Sequence, residues 1–191
     1  MICGLMKQGS SERALLQQAG EFIERIASVP ALALLTLLAL LFPVVLFPAH
    51  GMGDVKPLDL YFSYSPDQVY EYLAALGAKG RSAYTSMLMT SDLVFPVIYS
   101  IALSMALTLV LRKPRPHAGI YLCLFPFTII IADWFENLSL VLVTRKYPVQ
   151  ADVIAGYASL FTSLKWMLIM LTVLILIMSV AFWGISYMRD R

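Results

Sequence analysis

Two carboxylates and an amide lie within one helical turn of each other in an otherwise apolar stretch of the chain. Asp133, Glu136 and Asn137 occupy positions i, i+3 and i+4, which lie on one face of an α-helix. Ionisable residues inside a membrane span are costly, so they face the interior of a helix bundle and mark functional sites. We therefore predict Glu136 and Asp133 as catalytic acids and Asn137 as a binding residue.

An earlier apolar stretch carries a third acid close to a proline. Asp92, Pro96 and Tyr99 occupy positions i, i+4 and i+7 and share one helix face. Pro96 has no N–H, which leaves the backbone carbonyl of Asp92 without its usual helical hydrogen bond. The pattern predicts Asp92 as a further catalytic acid and Tyr99 as a binding residue. A plain kink filled by neighbouring helices is the alternative.

A later apolar stretch supplies a base. Thr162, Lys165 and Trp166 repeat the i, i+3, i+4 spacing, and all three are predicted binding residues. Helices rise about 1.5 Å per residue, which places Asp92, Asp133, Glu136 and Lys165 all roughly 12–16 Å below the outer membrane boundary. The three stretches are therefore expected to bring these groups together in one cluster in the outer half of the bilayer.

Charge balance constrains how such a cluster is arranged. Three acids and one lysine would carry a net negative charge if all were ionised, so at least one acid should hold a proton. We expect Lys165 to pair with Glu136 or Asp92, and Asp133 to accept a hydrogen bond from Asn137 or a tyrosine. The alternative is a polar clasp that only fixes helix register, in which each hydrogen bond contributes about 0.6 kcal/mol.

Four apolar stretches are long enough to carry these residues through a bilayer. A span needs about 20 predominantly apolar residues, and the stretches cover residues 30–48, 84–111, 119–143 and 155–187. The 191 residues are 60% hydrophobic and 14% charged, whereas soluble domains average about 25% charged residues. The predicted fold class is an all-α integral membrane protein, a four-transmembrane-helix bundle.

Two shorter helices are expected outside the spans. Residues 1–29 form a predicted N-terminal cytoplasmic unit with an amphipathic helix, and residues 30–191 form the transmembrane domain. The amphipathic helix either lies on the inner leaflet or docks a partner. In the outer loop, Ser65 and Gln68 form a capping-box pattern and Gly77 marks a helix end. That short helix either packs across the mouth of the bundle or acts as a lid.

The positive-inside rule orients the bundle. Eight basic residues fall on the side that holds both termini and the loop with Arg112, Lys113 and Arg115, and five fall on the other side. We therefore place both termini in the cytoplasm. The pattern fits a multi-pass protein of the bacterial inner (plasma) membrane.

Composition also argues against several classes of ligand. The formal net charge is only +2 and no basic run is interleaved with aromatic residues, so no nucleic acid is expected as a partner. His50 and His117 are predicted on opposite membrane faces, and there is no Cys/His cluster, so no metal and no cofactor are expected. The expected partners are membrane lipids, a lipid-like small molecule and a second copy of the chain in a homodimer.

Three functions fit these residues. The first is binding of a lipid-like or amphipathic small molecule, with acid–base chemistry by the carboxyls, one of which would act as general acid. The second is a proton- or cation-coupled small transporter that uses the acids as its coupling site. The third is a non-enzymatic accessory or scaffold subunit.

Overall fold

The structure, a computed structural model, describes residues 2–46, 56–111 and 118–189, and within these ranges it is helical without strands. A short 3₁₀ helix at Leu58–Leu60 precedes α3. The α-helices in chain order are α1 (Ile2–Ile26), α2 (Val29–Leu46), α3 (Pro66–Leu88), α4 (Ser91–Leu111), α5 (Ala118–Leu124), α6 (Phe127–Lys146) and α7 (Asp152–Arg189).

Four helical stretches are long and apolar enough to cross a membrane, which confirms the predicted number of spanning-length helices. Their bounds are Val29–Leu46, Pro66–Leu111, Tyr121–Lys146 and Asp152–Trp183. The predicted end of the first span at residues 47–48 lies outside the described residues, as do His50, residues 112–117 with the basic loop and His117, and Arg191. With 38 residues, α7 is about 57 Å long, well beyond the ~30 Å hydrocarbon core.

The second and third predicted spans are each interrupted, which the sequence analysis missed. The predicted span 84–111 contains a turn at residues 89–90, between α3 and α4. There the Thr90 hydroxyl donates to the Ser86 carbonyl, a local bond that competes with helix continuation. The predicted span 119–143 breaks at residues 125–126. Pro126 cannot donate to the preceding turn, so α6 starts after it.

The helix predicted in the outer loop is present and continues further than expected. Ser65 caps α3, and both hydrogen bonds of the capping box with Gln68 are formed. Gly77 is non-helical, with φ +62° and ψ −179°, and a second helical segment continues to Leu88. That backbone conformation is essentially restricted to glycine. Gly77 therefore kinks the helix where the sequence predicts that it ends.

Helix α6 packs on both α4 and α7, and α2 lies against α4. The main hydrophobic core lies at one end of the bundle, where α3 packs on α6 and α7. We call this the loop end, because residues 56–65 and 147–151 lie there. The α3 stripe of Val69, Tyr72 and Leu73 is fully buried in this core, so α3 is firmly packed against the spans.

The N-terminal helix α1 packs against α4 and α5. It buries Ile23, and Ala27 just after its end is also buried. Leu15 and Phe22, which share the predicted apolar face, are exposed. Part of the apolar surface of α1 therefore lies uncovered by the rest of the chain.

Candidate functional site: a buried lysine–carboxylate cluster

The ionisable residues predicted within the spans converge. Lys165 of α7 lies between two carboxylates of α6, with its Nζ 2.7 Å from Glu136 Oε2 and 3.0 Å from Asp133 Oδ1. Glu136 is 0% exposed, Asp133 4%, Asp92 5% and Lys165 6%. We call these four residues the charge cluster. Its members come from three helices, which confirms that their helix faces point into the bundle.

Lys165 pairs with Glu136 as predicted, and its second partner is Asp133. Among the described residues these are the ion pairs that Lys165 forms, so Asp92 is not its direct partner. Asp92 lies within range of the charges of Asp133, Lys165 and Glu136 without contacting Lys165. Two carboxylates one helical turn apart are tolerated in this site because one ammonium group contacts both.

Asn137 connects α6 to the break in the hydrogen bonding of α4. Its side-chain amide donates to Asp133 Oδ2 at 3.3 Å, as predicted, and also to the backbone carbonyl of Asp92 at 3.2 Å. That carbonyl is the one that Pro96 leaves without a helical partner. The indole N–H of Trp134 donates to the next carbonyl, that of Leu93, at 3.1 Å. The backbone carbonyls of Asp92 and Leu93 in the turn before Pro96 therefore accept hydrogen bonds from side chains of α6.

Thr162 joins Glu136 to a tyrosine outside the spans. Its hydroxyl lies 2.7 Å from Glu136 Oε1, 2.9 Å from the hydroxyl of Tyr64 and 2.9 Å from the carbonyl of Ala158. Each Glu136 oxygen thus has one partner, Lys165 or Thr162. Burial and the nearby charge of Glu136 raise the pKa of Tyr64 well above its usual value, so this phenol stays protonated at neutral pH.

Residues 56–65, which we call the loop segment, run along α7 toward the charge cluster. The backbone N–H of Tyr64 donates to Ser159, and Ser163 donates to the carbonyl of Phe62, both at 2.9 Å. Trp166 donates to the carbonyl of Asp59 at 3.1 Å. The bonded α7 residues span roughly 10 Å of helix. The loop segment therefore reaches the level of Lys165, although the sequence predicts it to lie outside the membrane.

Three polar groups near the charge cluster escaped the sequence analysis. Tyr64 and Tyr84 are buried, and the hydroxyl of Tyr84 and Oδ1 of Asp59 are buried without a hydrogen-bond partner. The charge of Asp59 acts on Lys165 and on Asp133. A single acid within the apolar run Leu58–Leu60 was the available signal, but nothing in the sequence indicated that this run folds back along α7.

Two of the predicted binding residues have clear packing roles. Tyr99 is half-buried and stacks edge-to-face on Phe95 at 5.1 Å, and its ring lies within range of the charges of Asp133 and Lys165. Trp166 is half-buried and holds the loop segment through Asp59. Within the part of the chain that the structure describes, neither residue hydrogen-bonds to a carboxylate of the charge cluster.

Two pockets flank the bundle, and neither is lined by the charge cluster itself. The first, about 270 Å³, opens at the loop end and is lined by Lys56, Leu58, Tyr61, Tyr64, Gln68, Glu71, Tyr72 and Ala75. The second, about 450 Å³, lies under α1 and has almost entirely apolar walls, including Leu16, Ile23, Ile101 and Phe127. The first pocket, which we call the loop-end pocket, is connected to Glu136 of the charge cluster through Tyr64 and Thr162.

The donor set of the charge cluster is suited to holding protons. Across the described residues, no three His, Cys, Asp or Glu side chains are grouped so that they could hold a metal ion. The ammonium group of Lys165 occupies the position between the two carboxylates that a cation would take. Buried carboxyls in excess over a single base can bind and release protons within the bundle.

Comparison with protein-family models, with curated proteins and with solved structures finds no match for this chain. The fold and the site define its class on their own. It is a helical protein with four candidate membrane spans and a buried lysine–aspartate–glutamate cluster.

Proposed function

We propose that this protein is a multi-pass membrane protein that binds a lipid-like or amphipathic small molecule and exchanges a proton with it through the charge cluster. One observation carries the proposal: two buried carboxylates contact one lysine and a third buried carboxyl lies nearby, and each of the four residues is at most 6% exposed. A full set of ionised carboxylates would leave a net negative charge in a low dielectric, which is strongly unfavourable. Protonation of one carboxyl reduces this net charge and its cost, so the cluster has a proton to give.

The loop-end pocket supports an amphipathic ligand. Its walls are largely aromatic, with Tyr61, Tyr64 and Tyr72, while Lys56 and Glu71 supply charges at its rim. Its size is close to the lower end of the roughly 300–1,000 Å³ range of small-molecule sites. A ligand with an apolar body and one ionisable group fits this combination. The polar end of the ligand would exchange its proton with Glu136, while Asp133 and Asp92 tune the charge of the site.

The proposed membrane placement follows the distribution of basic residues. We place the loop end outside and both termini in the cytoplasm of the inner membrane, because the cytoplasmic loops of membrane proteins are enriched in Lys and Arg. In that orientation α1 lies at the inner leaflet. Its exposed Leu15 and Phe22 and the apolar groove beneath it would contact lipid chains.

One observation favours proton- or cation-coupled transport as a second candidate. Ser100, Ser104 and Thr108 are buried at successive i+4 positions after Asp92 and Pro96, so a polar stripe leads along α4 from the charge cluster away from the loop end. The Ser100 hydroxyl in this stripe is buried without a hydrogen-bond partner. A transporter needs access from both faces, and this stripe is where the second access would lie.

Calorimetric titration of the purified protein in nanodiscs tests the leading proposal. The probes are oleic acid, oleylamine and oleyl alcohol, which share one chain and differ in the ionisable group. Titration in buffers of different ionisation enthalpy counts the protons exchanged per probe bound. We expect at least one ionisable probe to bind with proton exchange, and Glu136→Gln to bind it without exchange. Glu21→Gln, an exposed acid on α1, is the matched control and should behave as wild type.

Two results would contradict the proposal. The first is binding of every probe without proton exchange, and the second is unchanged exchange in Glu136→Gln. The transport alternative is measured separately in proteoliposomes. If it is correct, an imposed pH gradient drives accumulation of the ionisable probe, and Asp92→Asn abolishes that accumulation.

A further inference from the structure

Glu136 is fully buried, so any proton that it exchanges must pass through neighbouring protein groups. Its two carboxylate oxygens contact Lys165 and Thr162. Lys165 contacts two carboxylates, Glu136 and Asp133, and Asp133 is itself buried. Thr162 is the contact that leads outward, because its hydroxyl also touches Tyr64 of the loop segment.

We propose that Tyr64 and Thr162 form the proton route between the loop-end pocket and Glu136. This inference rests on the proposed function and adds the side from which the charge cluster is reached. Tyr64 lines the pocket, and its hydroxyl is 2.9 Å from Thr162, whose hydroxyl is 2.7 Å from Glu136. Both distances are within the range of ordinary hydrogen bonds. Two hydroxyls therefore bridge the gap between an open pocket and a sealed carboxylate.

The hydrogen-bond inventory of Thr162 allows the route to carry a proton in either direction. A threonine hydroxyl has one proton to donate and can accept two hydrogen bonds. With Glu136 ionised, Thr162 donates to the carboxylate and accepts from Tyr64. With Glu136 protonated, the carboxyl donates to Thr162, whose own proton then turns to the Ala158 carbonyl, 2.9 Å away. Both protonation states of Glu136 thus have a fully satisfied arrangement.

Proton transfer along this route balances atom by atom. A donor in the loop-end pocket, a water molecule or the polar group of a ligand, loses one proton to the Tyr64 oxygen. Tyr64 passes its own proton to Thr162, and Thr162 passes its proton to Glu136 Oε1. Three bonds to hydrogen break, in the donor, Tyr64 and Thr162, and three O–H bonds form, on Tyr64, Thr162 and Glu136. Tyr64 and Thr162 each end with one proton, and Glu136 gains one.

Charged and titratable groups on every packed element face this route. Glu136 faces the charges of Lys165 and Asp133, and it acts on Tyr64, Tyr84, Asp92 and Tyr99. The charge of Asp59 acts on Tyr64. Exposed Glu71 lies on the wall of the same pocket. The acids on both sides of the two hydroxyls favour passage of a proton rather than of an anion.

A rapid pH drop applied to the full-length protein in nanodiscs tests the route. Time-resolved infrared spectroscopy follows the carbonyl stretch of protonated carboxyls, and the band that disappears in Glu136→Gln reports Glu136. Loss of one hydrogen-bonded link should slow its protonation at least about tenfold. We expect this slowing in Tyr64→Phe, which keeps the ring, and in Thr162→Val, which keeps the shape.

Two conservative variants serve as controls. Thr162→Ser retains the hydroxyl and should protonate Glu136 within about threefold of wild type, since the relay of hydrogen bonds is preserved. Tyr157→Phe alters an exposed tyrosine of α7 outside the loop-end pocket and should leave the rate unchanged. Should Thr162→Val fold poorly, Tyr64→Phe and Thr162→Ser together still decide the outcome.

The failures of the two proposals are distinguishable. Wild-type rates in both Tyr64→Phe and Thr162→Val, with a Glu136 band that titrates normally, overturn the route and leave the proposed function standing. A wild-type protein in which no Glu136-dependent band appears at any pH overturns both.

Discussion

Removing Lys165 should be the most destabilising single change in the charge cluster. In Lys165→Met the long apolar stem is retained and the ammonium group is lost from between Glu136 and Asp133, which it contacts at 2.7 and 3.0 Å. At an effective dielectric constant of about 20, each contact corresponds to a Coulomb attraction of about 6 kcal/mol. Most of this is offset by desolvation of the three groups. Removing one partner of a buried ion pair lowers the free energy of unfolding by a net ~3–5 kcal/mol.

The free energy of unfolding is measured by titrating the detergent-solubilised protein with SDS, with tryptophan fluorescence as the signal. We expect Lys165→Met to lose about 3–5 kcal/mol relative to wild type. Adding Asp133→Asn and Glu136→Gln makes all three groups neutral, and the loss should shrink to about 1–2 kcal/mol because no uncompensated charge remains. Lys146→Met, an exposed lysine at the end of α6, is the matched control and should change stability by less than about 0.5 kcal/mol.

The pattern across these variants is what tests the reasoning. A loss below about 1 kcal/mol for Lys165→Met would mean that the lysine does not stabilise the two carboxylates. A triple variant as unstable as Lys165→Met alone would show that packing of the lysine stem, rather than charge, determines the cost. Either result would refute the electrostatic account of the charge cluster.

Two further predictions concern the backbone around the site. Gly77→Ala should lower the free energy of unfolding by about 1–3 kcal/mol in the same SDS titration, because alanine is strained at φ +62° although nothing lies within 4 Å of the added Cβ. The control is Gly156→Ala, which is equally uncrowded but helical and should raise the free energy of unfolding by up to about 1 kcal/mol. Equal effects of the two substitutions would contradict the kink assigned to Gly77. Asn137→Leu should lower the free energy of unfolding by about 1–3 kcal/mol, because it leaves the Asp92 carbonyl without its hydrogen-bond donor. The loss should be smaller in a Pro96→Ala background, which restores the helical N–H at position 96. A double-mutant cycle measures this coupling, and strict additivity would show that the Asn137 bond does not compensate for the N–H that Pro96 lacks.

The bundle and the identity of the charge cluster followed from the sequence for one physical reason. Lipid cannot solvate charge, so the acids at i and i+3, with the amide at i+4, in an apolar stretch must face inward. Counting the helical rise then placed Asp133, Glu136 and Lys165 at one level, and in the structure they touch. The hydrogen bond from Asn137 to Asp133 followed from the same spacing, and the capping box at Ser65 from local chemistry alone.

The course of the loop segment was settled only by the tertiary structure. Its three bonds to α7 join residues about 100 positions apart in the chain, and no local pattern specifies such a pairing. The breaks at residues 89–90 and 125–126, by contrast, had local signals in Thr90 and Pro126, which the continuous apolar character of each stretch obscured.

Sequence alone thus determined which side chains must avoid lipid and that they lie at one level along their helices, because helix periodicity and the cost of burying charge are local properties. Tertiary structure decided which of them meet, that Lys165 bridges Asp133 and Glu136 while Asp92 stands beside them, and that Tyr64 and Thr162 connect Glu136 to the loop-end pocket. Those contacts arise from the rotation and packing of whole helices, which depend on every residue at their interfaces at once.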